Sequence, residues 1–323
     1  MRTILPVLIV ALVFSCKSPG TGKKTGGAGE TAKTEIKGSF SISGAYALYP
    51  LISNLADDFM RIQPGVRIEV TRMGTGEGIT ALLSKKCQIA MISRPLTNEE
   101  INEGIWVIPV AKDGVAPIVN QRNPFIEQLL NQGLSPQEFL QVFTSGKELT
   151  WGFALGTKAK EKINVYVRND ESGAADIFAD FIYKKASDLK GIGVTGDDEM
   201  IRSIQEDPLG IGFCNFTYAF DVITGERKKD IQIIPSDLDF DNKIDKVEVP
   251  FTNLEAAHRS LWLGFYPDQL CRELTLGCLG KPTDPAVVAF LHYVLGEGQA
   301  NVKKSGYCPL NNVYINYSLE LLK

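Results

Sequence analysis

The sequence has few of the residues on which most enzymatic sites depend. It holds only two histidines in 323 residues, and neither His258 nor His292 falls in a predicted ligand loop. There is no Gly-x-Ser-x-Gly elbow, and no Gly-Lys-Ser/Thr follows the glycine-rich segments, so neither a serine hydrolase nor a P-loop is indicated. Six cysteines match no zinc spacing, and 34 Lys+Arg against 38 Asp+Glu leave no basic patch for nucleic acid. A binding protein is therefore favoured over a hydrolase.

The apolar run near the N-terminus is short. Residues 4–14 are apolar apart from a single proline, and eleven residues are too few to span a bilayer, which needs about 20. Preceded by Arg2, this run fits the h-region of a secretory signal peptide over residues 1–15. Cys16 follows directly after Ser15, a pattern that resembles the lipobox of bacterial lipoproteins, in which this cysteine is lipidated. An ordinary signal peptide with an incidental cysteine is the alternative.

The next segment, residues 16–35, consists mostly of Gly, Thr and Lys and has almost no apolar side chain. Such a segment cannot bury enough surface to offset the entropy of ordering it, so we expect a flexible tether behind the lipidated cysteine. This layout predicts a protein of the cell envelope, anchored by lipid to a membrane and facing the periplasm or the cell exterior. The body that starts at residue 36 is large for a single core and predicts two lobes.

The body alternates strand and helix patterns, which predicts an α/β fold. Its first part has a βαβαβ order within about 55 residues, and this order implies parallel strands joined by right-handed crossovers. The predicted strands are 38–44, 66–70, 89–92, 164–167 and 210–214, and the predicted helices are 49–61, 74 to about 84, 177–185 and 285–295.

Two strand-to-helix junctions have the composition of anion-binding sites. The first is the run Gly74-Thr75-Gly76-Glu77-Gly78, and the second is Ser172-Gly173-Ala174, with Arg168 four residues earlier. A helix N-terminus offers unpaired N–H groups and a partial positive charge, glycines allow close approach, and an arginine adds planar donors. Taken alone, each feature also fits ordinary turn chemistry or a solvated surface arginine.

From Ser41 onward, the chain resembles the phosphate-binding proteins of ABC transporters, which are members of the two-lobed type II periplasmic binding protein group. The matching segments follow the family's order along most of the body. They are residues 44–51 (GAYALYPL), 74–79 (GTGEGI), 89–96 (IAMISRPL), 113–120 (DGVAPIVN), 134–146 (LSPQEFLQVFTSG), 168–174 (RNDESGA), and 298–299 with 306–310 (GQ and GYCPL).

The resemblance implies two lobes, each a mostly parallel sheet flanked by helices, with a ligand cleft between them. Lobe 1 is expected over residues 36–112 and 262–323 and lobe 2 over residues 113–261, with hinge strands near 113–119 and 260–265. It further implies a monomer that captures phosphate or a similar tetrahedral oxyanion and delivers it to the membrane permease of an ABC transporter. The implied oxyanion-binding residues are Ala47, Leu48, Thr75, Gly76, Ser93, Arg94, Arg168, Ser172, Gly173 and Ala174.

The sequence departs from the family pattern at the ligand. Tyr46 and Ala47 stand where the family has Ser-Thr, and Ala174 stands where it has Thr, so two hydroxyl donors are missing. Arg94 lies where some members place an Asp that accepts the proton of a protonated phosphate, which widens the range of plausible anions. The alternative is therefore a phosphate-sensing or scaffold lipoprotein on the same fold, with weakened or lost ligand binding.

An acidic loop follows the spacing of an EF-hand calcium loop. Acids occupy positions 1, 3, 5, 9 and 12, and position 6, where φ is positive and Gly is usual, holds Asn242. We expect a lone structural Ca²⁺ site and no required cofactor, with a solvated acidic turn as the alternative. The candidate ligands are Asp237, Asp239, Asp241, Lys243, Asp245 and Glu248.

Five cysteines lie in the body beyond Cys16. In an exported protein, Cys271 and Cys278 could close a small disulfide loop, but an odd total leaves at least one thiol free or paired elsewhere. With so few cysteines for its size, we expect the fold not to depend on disulfides.

Overall fold

The structure, a computed structural model, describes residues 36–245 and 251–323. The predicted signal peptide (1–15), the lipidated Cys16, the tether (16–35) and the calcium-ligand candidate Glu248 lie outside the described residues. Within the described ranges, none of the helices is long and apolar enough to cross a bilayer.

Strands and helices alternate along most of the described chain. The strands are β1 (Gly38–Ala45), β2 (Val66–Met73), β3 (Ile89–Ile92), β4 (Ile105–Asn120), β5 (Asn164–Arg168), β6 (Ile192–Val194), β7 (Gly210–Asn215), β8 (Ile231–Ile233) and β9 (Cys271–Leu279). The α-helices are α1 (Tyr49–Ile62), α2 (Thr75–Leu83), α3 (Asn98–Asn102), α4 (Ile126–Gln132), α5 (Pro136–Thr144), α6 (Trp151–Ala154), α7 (Gly173–Phe181), α8 (Gly196–Glu206), α9 (Phe216–Ala219), α10 (Leu254–Leu263), α11 (Pro285–Leu295), α12 (Gln299–Lys304) and α13 (Asn312–Leu322). Short 3-10 helices span Tyr46–Leu48, Ala186–Asp188 and Asp268–Leu270.

The first lobe contains the predicted βαβαβ unit. Strand β1 pairs in parallel with both β2 and β3, and β9 then joins β3 and β4 in antiparallel fashion. Apolar residues of β1, α1 and α11 form one core, in which the ring of Phe290 contacts Phe40 and Phe59. A smaller cluster beneath α2 covers the sheet's other face. The parallel order and both crossover helices are as the sequence predicted.

The second lobe is built on a mixed sheet. Strand β5 pairs in parallel with β6 and β7, whereas β4 runs antiparallel to β7 and β8. Its core is rich in aromatic side chains, and Phe178 of α7 stacks on Phe213 of β7 with ring centroids 4.6 Å apart. This packing fixes α7 against the sheet and so fixes the position of its N-terminus. The two-lobed α/β fold is confirmed, with antiparallel pairs beside the parallel ones.

Two long strands carry the chain between the lobes. Strand β4 pairs with β9 up to Gly114 and with β7 from Val115 onward, which is where the sequence places the first hinge. The second hinge prediction, at 260–265, is wrong because α10 continues to Leu263 and packs on the second core. The chain returns to the first-lobe sheet at Cys271, which pairs with Gly114. The lobe bounds at 112/113 and 261/262 stay predictions.

The suggested disulfide between Cys271 and Cys278 is also wrong. Both cysteines lie on β9, and seven residues of extended strand separate them by about 23 Å, far beyond disulfide reach. All five cysteines of the described residues are free thiols. The fold is therefore held by its cores, as expected for the cysteine content.

Candidate functional site

The loops after β1, β2, β3 and β5 meet in a cleft between the lobes, at the carboxyl ends of these strands. The cleft has an outer part of about 450 Å³ and an inner cavity of about 10 Å³, which is roughly room for one water molecule. Nine of the ten predicted oxyanion-binding residues line one or both parts: Ala47, Thr75, Gly76, Ser93, Arg94, Arg168, Ser172, Gly173 and Ala174.

Leu48 is the exception. Its side chain is fully buried in the first-lobe core, because it ends the 3-10 helix that leads from β1 into α1 and belongs to the same apolar cluster as both. Any role of Leu48 at the cleft therefore falls to its backbone.

Helix α7 presents its first turn to the cleft. It spans Gly173–Phe181 and not the predicted 177–185, because the Ser172 hydroxyl accepts a hydrogen bond from Ala175 N (3.3 Å) and starts the helix there. Tyr183, at φ 57°, lies just beyond its end. A Cβ at Gly173 would lie 2.8 Å from the Ser93 carbonyl oxygen, so only glycine allows this approach.

Helix α2 begins at the same cavity from the first lobe. The hydroxyls of Thr75 and Ser93 lie 3.1 Å apart, and both residues are buried. Together with Ser172, they place three hydroxyl groups around the inner cavity. Such groups donate and accept hydrogen bonds at little electrostatic cost, which suits an oxyanion in any protonation state.

Arg168 ends β5 and is almost completely enclosed, with its side chain 2% exposed. Its guanidinium pairs with Asp170 through two bonds and donates through Nη1 to Asp197 Oδ2 at 3.0 Å. The Tyr46 ring lies over it, 5.6 Å from the guanidinium carbon. Burial lowers the pKa of Arg168, but Asp197 and Asp170 outweigh it and the pKa lies above its usual value. Three of the five N–H groups thus donate to protein carboxylates.

A second buried arginine, Arg272 of β9, was missed at the sequence level. It donates from Nη1 to the Ser93 carbonyl (3.0 Å) and from Nη2 to Asp113 (3.4 Å) and Asn215. Asn215 donates in turn to Asp197 (2.9 Å), so the network runs from the hinge strands to the partners of Arg168. The available signal was weak, because Arg272 is one of two charged residues, with Glu273, in a strand that is otherwise mostly apolar.

Burial shapes the charges of this network. It raises the pKa of Asp113 to about 6, although the nearby Arg272 opposes the shift. It also lowers the pKa of Arg272, which Asp113 and Asp197 oppose. The guanidinium Nε of Arg272 has no hydrogen-bond partner among the described atoms. A buried donor without a partner is costly, and this one lies beneath the site.

The guanidinium of Arg94, at the outer wall of the cleft, is already hydrogen-bonded to a protein carboxylate. It donates to both oxygens of Glu100 at 2.8 Å and lies 3.6 Å from Asp176 of the opposite lobe. The bond to Glu100 raises the pKa of Arg94. In this arrangement Arg94 is a cation of the cleft wall that bridges the lobes.

The cleft as a whole is not positively charged. Three arginines (Arg94, Arg168, Arg272) face six carboxylates (Glu100, Asp113, Asp170, Glu171, Asp176, Asp197) in the linings and networks described above. An anion in the inner cavity would therefore be held by N–H and hydroxyl groups rather than by excess positive charge.

The acidic loop folds as its spacing predicted over the described part. Carboxylate oxygens of Asp237, Asp239 and Asp241 lie within 4.8 Å of one another, and Asn242 adopts φ 60° at position 6. The carboxylates also accept backbone N–H bonds, for example from Asn242 to Asp237 at 3.0 Å. Such bonds stabilise the turn without an ion, so both the calcium site and the plain acidic turn stay predictions.

The sequence matches the PBP superfamily domain over residues 29–257. The chain belongs to the PBP superfamily. Among curated proteins, it is 26% identical over 214 residues to the phosphate-binding protein PstS of Staphylococcus aureus (strain USA300), a match that covers 64% of this chain and 63% of that protein. The chain thus spans less than two thirds of the length of these relatives.

Solved structures show the same fold. A Clostridium perfringens protein with bound phosphate superimposes with a TM-score of 0.68 at 23% identity, covering 85% of this chain and all (100%) of that one. An ABC-type phosphate transport receptor from Vibrio cholerae gives 0.63 at 19% identity, covering 84% and 100%. At these sequence identities the similarity shows a shared fold, and it does not show which ligand this chain binds.

Proposed function

We propose that this protein binds phosphate, or a similar tetrahedral oxyanion, between its lobes and delivers it to the permease of an ABC transporter. One observation carries the proposal: the N-termini of α2 and α7, from opposite lobes, converge with the buried Arg168 and three hydroxyls on one small cavity. Helix N-termini and an enclosed arginine are suited to a small oxyanion. The phosphate-binding names of the curated relatives support the same ligand.

Calorimetric titration of the purified chain with phosphate, arsenate, sulfate and molybdate tests the proposal. We expect saturable binding of phosphate and arsenate at one site per chain. No heat from any of the four anions up to millimolar concentration would contradict it.

A sensing or scaffold protein on the same fold is the second candidate. Two observations favour it. Carboxylates already accept hydrogen bonds from Arg168 and Arg94, and the inner cavity has room for about one water molecule. For phosphate to bind, these carboxylates and arginines must move apart. A chain that folds normally but binds no oxyanion would support this candidate over transport.

We also propose that Cys16 carries a lipid that anchors the protein to a membrane of the cell envelope. The composition of residues 1–35 supports this layout. Metabolic labelling with a radioactive fatty acid should mark the wild-type chain and not the Cys16→Ser variant. Equal labelling of both would refute the anchor.

A further inference from the structure

Helix α2 is capped by a carboxylate from the opposite lobe. Its N-cap is Gly74, which has no side chain to accept the N–H groups of the first turn. Glu171, in the loop before α7, supplies the missing acceptor: its Oε2 accepts a hydrogen bond from Glu77 N at 3.0 Å. A negative charge at this place is also favoured by the helix dipole.

The glycines of α2 fit this contact. A Cβ at Gly74 would overlap the Glu171 side chain and lie 2.7 Å from its carbonyl oxygen, and a Cβ at Gly76 would overlap the Glu171 carboxylate. The two glycines therefore leave room for Glu171 as well as for a ligand. Glu171 also lines both the inner cavity and the outer cleft, so it stands at the passage between them.

We propose that Glu171 is an acidic latch: it holds the lobes together by capping α2, and an incoming oxyanion must displace its carboxylate. Carboxylate and oxyanion compete for the same N–H groups and repel each other. Glu171 thereby weakens anion binding and sets which anions succeed, favouring those that gain most from the cavity donors. The choice of ligand rests on the proposed function, whereas the latch itself does not.

Two measurements on the full chain test the latch. In small-angle X-ray scattering without added anion, Glu171→Ala should have a larger radius of gyration than the wild type. In calorimetry, the same variant should bind phosphate about two- to tenfold more tightly, because a competing charge at a helix terminus has been removed. Glu171→Gln keeps an acceptor oxygen but no charge, so its radius of gyration and its phosphate affinity should lie between those of the wild type and Glu171→Ala.

Glu103→Gln is the matched control, since it removes one negative charge from an exposed residue near the end of α3. It should change neither measurement. Gly74→Ala is an independent variant, because its methyl group meets the main chain of residue 171 and should also enlarge the radius of gyration.

An unchanged radius of gyration in both Glu171→Ala and Gly74→Ala would overturn the latch, as would weaker phosphate binding by Glu171→Ala. An equal gain in affinity by Glu103→Gln would also overturn it, because general charge would then explain the effect. Scattering needs no ligand, so absence of anion binding would overturn the proposed function and still leave the latch testable.

Discussion

Replacing Arg168 with alanine should affect both stability and ligand binding. The change removes the cation that pairs with two carboxylates: Asp197, whose side chain is 1% exposed, and Asp170, whose side chain is 15% exposed. Removing one partner of a buried ion pair costs about 3–5 kcal/mol. For a chain of this size, about 2 °C per kcal/mol converts the loss into a melting temperature roughly 6–10 °C lower.

The effect on binding is separate from the effect on stability. Loss of charge-assisted hydrogen bonds worth about 1.5–3 kcal/mol should weaken phosphate binding by about ten- to a hundredfold. Differential scanning calorimetry and isothermal titration of the same preparation measure the two effects together. Arg202→Ala, which removes an exposed arginine from α8 of the same lobe, is the control and should change neither.

A double variant checks the physical reason. Adding Asp197→Asn to Arg168→Ala removes the most deeply buried of the stranded charges and should restore part of the melting temperature but none of the phosphate affinity. A melting temperature equal to that of the wild type in the single variant would refute the buried ion pair. A lower melting temperature with unchanged phosphate affinity would show that the site lies elsewhere.

Three further predictions concern a missing donor, pH and calcium. Ala174→Ser adds a hydroxyl at the start of α7 and should tighten phosphate binding by about two- to tenfold in calorimetry, whereas weaker binding would show a steric conflict. The pKa of Asp113 is about 6 in the folded chain against about 3.9 unfolded, so the folded state holds its proton longer and stability falls as pH rises from about 4 to 6. Denaturant titrations should show this loss relative to Asp113→Asn, and a pH-independent difference would refute it. Calcium should raise the melting temperature above that in a chelator, and Asp241→Asn should reduce this response; equal values in calcium and chelator would remove the metal site.

Local patterns predicted the framework well because their physical causes are local. Alternating apolar residues marked the strands, and helix α11 was predicted with its observed ends, where Asp284 caps its first turn and Gly296 follows its last. The predicted start of α7, at residue 177, is four residues late, because the apolar pattern does not show that the Ser172 hydroxyl caps the helix. The second hinge strand predicted at 260–265 is not formed there, because helix α10 extends to Leu263.

The polar network could not be predicted in the same way, because its members are distant in sequence. Arg272 lies 159 residues from Asp113, and Glu171 lies 94 residues from Glu77. Only the fold brings these pairs together, so no spacing rule detects them. The sequence likewise showed Arg168 as a ligand residue but not that Asp170 and Asp197 already occupy much of its guanidinium.

We propose that an oxyanion binds between the lobes at Arg168, Ser172 and Thr75. A crystal structure with saturating arsenate tests it most directly, because arsenic can be located by its anomalous scattering. We predict a single anomalous peak in the inner cavity, within hydrogen-bonding distance of Arg168 and Ser172, with Glu171 moved away from α2. A peak elsewhere, or an inner cavity without arsenic at saturating arsenate, would contradict the claim.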